Sequence, residues 1–247
     1  MNDFILCEKH NYQRKFITSR IIMGKEFKAY EECPYCLKEK EVEKERIEIK
    51  KLYDKLDKSN IGRKYYPLTF KNLEIVSQSF KTAKNRAEKY CQNFDECFKR
   101  GLGIYFYGDN GRGKTALIAC IFKELIKKGY EPYLTTMNEL QGDIINNRVN
   151  LDDIKAKKIL ALDDIGSESY VKGDDTKWIN ELLFEIVAYR DKNLLPTLFT
   201  SNHKVSELMD NGVMKKTVER ISTLGTAKIE IVSDKSFRVN KEVKLPF

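Results

Sequence analysis

The chain has 247 residues, of which 41% are hydrophobic and 33% are charged, and this is typical of a soluble globular protein with one large and one small domain. No apolar run approaches the roughly 20 residues that cross a bilayer, and the N-terminus MNDFILCEKH has no apolar stretch of signal-peptide length. We therefore expect a cytoplasmic protein with no membrane partner. The net charge of +8 leans toward polyanions such as nucleic acid, although solvated lysines explain it equally well.

Two pairs of potential metal ligands lie near the start of the chain. Cys7 and His10 are separated by two residues, as are Cys33 and Cys36. Disulfides are rare in the cytoplasm, and three cysteines with one histidine form a closed ligand set for structural Zn²⁺. The pattern predicts a zinc-binding module over residues 1–36, with a redox pair or chance spacing as the alternative for Cys33 and Cys36 alone. The remaining cysteines are interpreted as packing or inert thiols: Cys91, Cys97 and Cys120.

The module also carries basic and aromatic side chains. Its basic residues leave nucleic-acid binding open as an alternative to protein docking: Lys9, Arg14, Lys15, Arg20, Lys25 and Lys28. Its aromatic residues are interpreted mainly as the core of the module: Tyr12, Phe16, Phe27 and Tyr30.

Residues 37–59 are mostly charged and carry one narrow apolar stripe. Val42, Ile49 and Leu56 recur every seven residues, which indicates one side of a solvated helix. We interpret the segment as a helical linker. A short coiled coil is the alternative, for which only about three heptads are available.

From residue 60 onward, apolar runs of strand length alternate with amphipathic helices. The predicted strands are Ile104–Tyr107, Pro132–Thr136, Ile159–Asp163, Thr197–Thr200 and Lys228–Val232. The predicted helices lie near residues 114–128, 138–147, 175–191 and 204–222. One face of the third helix is apolar: Trp178, Leu182, Leu183, Ile186 and Val187. This alternation predicts an α/β fold with a parallel sheet covered by helices on both faces.

A glycine-rich turn joins the first of these strands to an apolar helix. Residues 108–115, GDNGRGKT, fit G-x-x-x-x-G-K-[ST] without a mismatch. The glycines let backbone N–H groups surround phosphate oxygens, and the helix N-terminus adds its positive end. Lys114 is predicted to reach the β- and γ-phosphates of ATP, and Thr115 is predicted to ligate Mg²⁺. The residues predicted to bind ATP or ADP are Gly108, Asp109, Asn110, Gly111, Arg112, Gly113, Lys114, Thr115 and Ala116.

Two aspartates and an asparagine follow later strands. Asp163 and Asp164 end the run ILALDD, at the strand end where ligands gather in open α/β sheets. Asp163 is predicted to hold Mg²⁺ through its waters and Asp164 to polarise the attacking water, with a helix or turn cap as the alternative for Asp164. Asn202 ends the run LPTLFTSN and is predicted to hydrogen-bond the γ-phosphate or the attacking water, with a turn residue as the alternative.

The order of these elements resembles that of the AAA+ ATPases. More narrowly, LALDDIGSE, LLFEIVAYRDKNLLPTLFTSN and the segment NIGRKYYPLTFKNL at residues 60–73 are similar to segments of the DnaC/DnaI bacterial helicase loaders and the related IstB transposition helper ATPases. The resemblance covers roughly residues 60–240. It implies an AAA+ P-loop ATPase domain over residues 60–247, with a five-stranded parallel sheet in the order 5-1-4-3-2. Only nine residues follow Arg238, so no C-terminal lid domain is expected, which separates the chain from DnaA-type initiators.

The resemblance also implies roles for two arginines. Arg220, in KKTVERISTLG, matches an arginine finger that acts on nucleotide held by a neighbouring subunit, and Arg238, in SFRVN, matches a sensor of the γ-phosphate in its own subunit. An exposed salt bridge is the alternative for each. A finger acting between subunits requires self-association through the ATPase domain. Two residues depart from the family pattern: Arg112 replaces a small or neutral residue and adds charge near the phosphates or faces solvent, and Asp164 replaces Glu.

The leading hypothesis is an ATP-dependent loader of the replicative DnaB-type helicase. The zinc module would dock on the helicase, and the core would bind single-stranded DNA and hydrolyse ATP weakly, with stimulation by DNA, in replication initiation. The alternatives are a transposition helper ATPase, whose partner is a transposase, and a nucleotide switch that does not hydrolyse. Two basic clusters are DNA-contact candidates, although solvated helix faces are the simpler interpretation: Lys81, Lys84, Arg86 and Lys89, and Lys155, Lys157 and Lys158.

Overall fold

A computed structural model describes residues 4–167, 174–210 and 212–233. The chain divides into two compact units, the first ending at Tyr53 and the second beginning at Asp54. No helix within the described ranges is long and apolar enough to cross a membrane.

The first unit contains a three-stranded antiparallel sheet that the sequence analysis did not predict. Its strands are β1 (Phe4–Leu6), β2 (Gln13–Ile22) and β3 (Lys25–Tyr30), in that order across the sheet. Met23 and Gly24 form the turn between β2 and β3, and both have positive φ, at 50° and 75°. Two successive residues of positive φ match the right-handed twist of the flanking strands, so they make a tight two-residue hairpin.

Helix α1 (Pro34–Lys58) covers almost all of the segment predicted as a helical linker. Along its seven-residue stripe, Val42 and Ile49 are exposed and Leu56 is fully buried. The boundary between the two compact units falls within this helix.

The second unit is built on the predicted five-stranded parallel sheet. Its strands are β4 (Ile104–Tyr107), β5 (Pro132–Thr136), β6 (Ile159–Ile165), β7 (Thr197–Ser201) and β8 (Ala227–Glu230). Its helices are α2 (Gln78–Gln92), α3 (Phe94–Lys99), α4 (Lys114–Lys127), α5 (Met137–Ile145), α6 (Leu151–Lys155), α7 (Asp174–Lys192) and α8 (Lys215–Leu224). The strand order is β5-β6-β7-β4-β8. Counted from β4 as strand 1 and read from the β8 edge, this is the predicted order 5-1-4-3-2.

The apolar face predicted for α7 is part of the core. Leu182, Leu183, Ile186 and Val187 are buried there together with side chains of β4, β6 and β7, and Trp178 packs against the same cluster. The sequence analysis did not assign α2, α3 or α6.

The helix predicted over residues 204–222 is wrong. The chain instead forms a 3₁₀ turn at Val205–Glu207 and then helix α8 from Lys215. Gly212, with φ of 84°, lies in the connection. Glycine tolerates left-handed backbone at no steric cost, so Gly212 allows a turn between the two segments.

Lys123, on helix α4, forms hydrogen bonds to the segment at residues 60–73 that precedes the α/β core. Its ammonium is almost fully buried and donates to the carbonyl of Tyr65 at 3.1 Å, and also to the carbonyls of Tyr66 and Leu68. Burial lowers the pKa of Lys123. Three backbone carbonyls therefore replace water around this cation and hold part of NIGRKYYPLTFKNL on the helix that begins at the phosphate loop.

Arg190 joins α7 to the segments that lead into the neighbouring parallel strands β6 and β7. Its guanidinium is fully buried and donates to Thr197 Oγ1 at 2.8 Å and to the carbonyls of Lys155 (3.0 Å), Lys157 (2.6 Å) and Pro196 (2.7 Å). Burial lowers the pKa of Arg190 to about 9. The arginine of the AYRDKNLLPT segment thus connects three loop carbonyls through one side chain.

We expect the substitution Arg190→Met to destabilise the second unit by about 3 kcal/mol or more, because it leaves several buried acceptors without a donor. The single tryptophan, Trp178, lies on the same helix. Urea unfolding followed by its fluorescence measures the change in the free energy of unfolding. Lys192→Met, at an exposed position of α7, is the matched control. An Arg190→Met protein as stable as this control would contradict the role given to Arg190.

Candidate nucleotide-binding site and metal cluster

The turn between β4 and α4 has the backbone of a phosphate-binding loop. Gly108, Gly111 and Gly113 have φ of 139°, 77° and 85°, which side-chain-bearing residues rarely adopt. At Gly108 a Cβ atom would lie 2.1 Å from the carbonyl oxygen of Ile231. Glycine is therefore required there by close backbone approach as well as by φ. Gly113 is the N-cap of α4, and Ala116 is buried in its first turn.

Lys114 lies under this loop with its ammonium facing oxygen atoms. Its Nζ donates to the carbonyls of Gly108 (2.6 Å) and Asp109 (2.9 Å) and to Asn202 Oδ1 (2.8 Å). The residue is 7% exposed. The loop and the end of β7 thus meet at one buried cation.

Asn202 connects Lys114 to the acidic pair. Its Oδ1 accepts from Lys114, and its Nδ2 donates to Asp164 Oδ1 at 3.1 Å. Asp164 has a positive φ of 59°, and the pairing of β6 with β7 shifts register between Leu162 and Ile165. A β-bulge of this kind re-aims side chains at the end of a strand, and here both aspartates lie within β6 and not after it.

Asp163 contacts two hydroxyl groups. Thr115 Oγ1 donates to both carboxylate oxygens at 3.0 Å, and Thr200 Oγ1 donates to Oδ1 at 2.5 Å. Burial raises the pKa of Asp163, against the lowering effect of these two hydrogen bonds. A threonine hydroxyl beside a carboxylate at the start of α4 is the oxygen donor set that Mg²⁺ uses in P-loop sites.

Thr200 is a site residue that the sequence analysis missed. Its hydroxyl donates to Asp163 and also accepts from the backbone N–H of Asp164 at 2.8 Å. The only sequence signal is a hydroxyl residue two positions before Asn202 in TSN, since residues two apart on a strand share a face.

Arg112 is enclosed in the phosphate loop, unlike its neighbour Asn110, which is exposed. Its side chain is 16% exposed, so it does not simply face solvent, and its terminal nitrogen lies 3.5 Å from the exposed carboxylate of Asp109. Within the described part of the chain, its buried Nε has no hydrogen-bond partner. A buried N–H donor without an acceptor costs about 1–3 kcal/mol, which an anion at this loop would remove.

We expect Arg112→Met to weaken ATP binding by about tenfold, which corresponds to one charge-assisted hydrogen bond. Asp109→Asn should strengthen binding, because it removes the carboxylate that competes for the guanidinium. Calorimetric titration with Mg·ATP measures both effects. Arg100→Met, at an exposed arginine after α3, is the control. Unchanged affinity in Arg112→Met would exclude a phosphate contact by this side chain.

The four predicted metal ligands of the first unit converge. Atoms of Cys7, His10, Cys33 and Cys36 all lie within 4.8 Å of one another. His10 Nδ1 lies 3.8 Å from Cys7 Sγ, 3.7 Å from Cys33 Sγ and 3.3 Å from Cys36 Sγ. Tetrahedral Zn²⁺ with Zn–S of about 2.3 Å and Zn–N of about 2.0–2.1 Å places its ligand atoms about 3.5–3.8 Å apart. The donor set and spacing therefore fit zinc.

The cluster is not a disulfide. Cys7 Sγ and Cys36 Sγ are 3.5 Å apart, whereas a disulfide bond is about 2.0 Å long, and all six cysteines are free. The hydrogen bond with His10 lowers the pKa of Cys7 to about 6, and the hydrogen bond with Cys7 raises the pKa of Cys36 to about 11.

Glu39 supports the cluster from helix α1 and was also missed by the sequence analysis. Its Oε1 lies 3.2 Å from His10 Nε2, and its Oε2 pairs with Lys9 Nζ at 2.5 Å. A carboxylate on the outer nitrogen of a histidine fixes the ring so that the other nitrogen faces the metal. The sequence signal is an acidic residue one helical turn after Cys36.

No protein-family model matches the chain. The chain is 29% identical over 188 residues to the replicative helicase loader DnaI of Bacillus subtilis (strain 168), a match that covers 72% of this chain and 56% of that protein. The chain thus spans little more than half the length of this curated relative. A crystal structure of DnaI is similar with a TM-score of 0.60 and 28% identity, covering 72% of this chain and 95% of that one.

The crystal structure of the DnaC helicase loader has the same fold, with a TM-score of 0.60 and 23% identity over 69% of this chain and all of that one. The predicted resemblance to the DnaC/DnaI-type AAA+ loaders is confirmed. The five-stranded parallel sheet is that of their P-loop nucleotide-binding fold.

Arg220 lies apart from the loop contacts made by Lys114. Its guanidinium donates to Asp191 Oδ2 at 2.7 Å and stacks 5.8 Å above the ring of Phe184, so α8 pairs with α7. This is the salt bridge that the sequence analysis kept as the alternative, although it is half-buried, and the finger role stays a prediction. Arg238 lies outside the described residues.

The two basic clusters differ in how far their charges are paired. Lys155 bonds to Asp152 at 2.6 Å and to Glu185 at 2.8 Å, and these carboxylates raise its pKa. Lys157 lies 5.3 Å above the ring of Tyr133. On α2, by contrast, the basic side chains that face solvent are Lys81, Arg86 and Lys89. The α2 cluster is the better candidate for a polyanion because three of its basic residues are exposed, whereas in the other cluster Lys158 alone is exposed and the charge of Lys155 is already balanced.

Proposed function

We propose that the chain is an ATP-dependent loader of a replicative helicase onto single-stranded DNA. The observation that carries the proposal is the connected group of Lys114, Asn202 and Asp164 beside the Thr115–Asp163 pair, on a fold similar to that of DnaI. DnaI is named a replicative helicase loader.

The phosphate loop is proposed to hold ATP or ADP with Mg²⁺. Its inward-turned backbone would bind phosphate oxygens, and Lys114 would exchange carbonyl acceptors for phosphate oxygens. Thr115 and Asp163 would hold the metal ion, which neutralises charge on the phosphates when bound. Thr115 and Asp163 already lie within hydrogen-bond distance of each other, so this pair would need little reorganisation to hold the metal ion.

Hydrolysis is proposed to use Asp164 and Asn202. The Asp164 carboxylate would accept a proton from, or orient, an attacking water. Asn202 contacts Lys114 on one side and Asp164 on the other, so it would carry a change at the phosphates to the acidic pair. This pair of contacts supports the proposal that Asn202 senses the state of the nucleotide.

The remaining assignments follow the domain plan. Residues 1–36 are proposed as a zinc-stabilised module that docks on a DnaB-type helicase, residues 37–59 as a linker and residues 60–247 as the ATPase domain. Arg220 is proposed to act on nucleotide bound by a neighbouring subunit and Arg238 on nucleotide in its own, which requires self-association.

Co-purification tests the loader assignment against a transposase helper. The tagged chain with Mg·ATP is passed over a column together with the purified replicative helicase of its own host. Stable co-elution with the helicase is expected. Retention of a transposase and release of the helicase would overturn the loader assignment.

ATP turnover tests the ATPase assignment against a non-hydrolysing switch. Phosphate release is measured with and without single-stranded DNA, and we expect slow turnover that rises when DNA is added. Binding of ATP without any turnover above a protein-free blank would favour the switch.

A further inference from the structure

The hairpin β2–β3 of the first unit exposes an unusual amount of apolar surface. The exposed fractions are 60% for Ile17, 76% for Ile21, 55% for Ile22, 99% for Met23 and 56% for Phe27. The other aromatics of the hairpin, Phe16 and Tyr30, pack against each other with ring centroids 5.9 Å apart. The sequence analysis assigned Phe27 to the core of the module, and the structure corrects this. The half of the hairpin around Met23 and Gly24, which we call the hairpin tip (residues 17–28), lacks a core of its own.

Both faces of the hairpin tip carry apolar side chains. Arg20 lies opposite Phe27 and Ile22 opposite Lys25, which places these pairs on one face. Ile21 lies opposite Glu26, on the other face. A two-stranded hairpin is marginally stable in water by itself, and apolar side chains on both faces are available for contact with a partner.

The edge of the hairpin tip is also open to hydrogen bonding by another strand. Strand β1 pairs only with Gln13–Lys15 of β2, and in the described part of the chain no strand pairs with the outer edge of β3. An open edge presents N–H and C=O groups to an incoming strand. Strand addition with pockets for alternate side chains is a recurring mode of peptide recognition.

The net positive charge of the hairpin indicates which kind of partner surface it would bind. Residues 13–30 contain five basic residues and one acidic residue, Glu26. The partner surface is therefore expected to be acidic around an apolar centre. The exposed apolar groups are mainly aliphatic, and Phe27 alone offers a ring for stacking on a base. Single-stranded nucleic acid is bound chiefly through stacking on aromatic rings, so these side chains favour a protein.

We propose that the hairpin tip is a docking arm that inserts into an acidic, apolar groove of a protein partner and pairs its β3 edge with a strand of that partner. This inference rests on the proposed function, which makes the partner the replicative helicase. It assigns the contact to the strands of the module and leaves the metal cluster as the support at the other end of the hairpin.

The test is the triple substitution Ile21→Thr, Ile22→Thr and Met23→Asn. Threonine keeps the strand preference of isoleucine, and asparagine suits the positive φ at position 23, so the hairpin should persist. Binding of the full chain to purified helicase is measured by calorimetry, with zinc content and ATP affinity on the same samples. The matched control is Ile145→Thr with Leu194→Asn, two exposed positions of the second unit of which Leu194 has φ of 51°.

The triple variant is expected to bind helicase at least thirtyfold more weakly than wild type, with zinc content and ATP affinity unchanged, whereas the control binds like wild type. If the triple variant binds helicase as wild type does, the proposal that the hairpin tip is a docking arm is wrong, and the proposed loader function is unaffected. If wild type fails to bind helicase, both proposals fall. If the triple variant keeps its helicase affinity but loses binding to single-stranded DNA or to anionic lipid vesicles, the tip serves those ligands and the inference is overturned.

Discussion

Replacing Lys114 with alanine is expected to abolish detectable ATP binding and to lower ATP turnover by about a hundredfold or more, as for loss of one preorganised group that stabilises charge in a transition state. Lys114 joins the phosphate loop to Asn202 through three short hydrogen bonds. Its removal therefore takes away both the phosphate ligand and the connection to Asp164. Binding is measured with a fluorescent ATP analogue and turnover by phosphate release.

Lys127→Ala is the control for this experiment. Lys127 lies at the other end of α4 in an exposed pair with Glu124 at 2.7 Å, and exposed pairs contribute about 0–1 kcal/mol. Its loss should leave binding and turnover unchanged. Wild-type turnover in Lys114→Ala would show that the phosphate loop is not the site of hydrolysis.

Replacing Cys36 with serine is expected to release the metal and unfold the sheet of the first unit. Wild-type protein should contain about one zinc per chain, because three cysteines and one histidine complete a structural site. The sheet has little buried core, since the residues of β1 and most of those of β2 and β3 are exposed. Metal binding would therefore supply most of its folding free energy. Elemental analysis measures the metal, and amide NMR dispersion reports the fold.

Cys97→Ser provides the comparison, since Cys97 is a half-buried thiol of α3, far in sequence from the cluster. It should keep both zinc and fold. A strong chelator should reproduce the effect of Cys36→Ser on the first unit while the fluorescence of Trp178 stays unchanged. A metal-free wild-type chain with a folded first unit would rule out a structural metal.

The sequence predicts the phosphate loop and the sheet well because both are local patterns. GDNGRGKT specifies positive φ at its glycines, and each buried strand is a short apolar run. The contact of Thr200 with Asp163 is different, since it depends on how β6 pairs with β7 and on the bulge at Asp164. Register between distant strands is not encoded in either strand alone.

The break in the helix predicted over residues 204–222 and the sheet of the first unit could not be predicted from the sequence, for different physical reasons. Val205, Leu208, Val218 and Ile221 are all buried, as a continuous helix would require, yet Gly212 separates them into a turn and a helix. The first sheet gave no alternating pattern because neither face of its hairpin is buried. A strand is predicted from alternating apolar and polar residues only when one face of its sheet is buried.

Loading of helicase onto DNA without ends tests the central claim most directly. Purified helicase is mixed with closed circular single-stranded DNA that carries a labelled annealed oligonucleotide, with ATP, and displacement of the oligonucleotide is followed. We predict that the wild-type chain accelerates displacement well above helicase alone and that Lys114→Ala does not. Equal displacement with and without the chain, or equal acceleration by wild type and Lys114→Ala, would contradict an ATP-dependent loader.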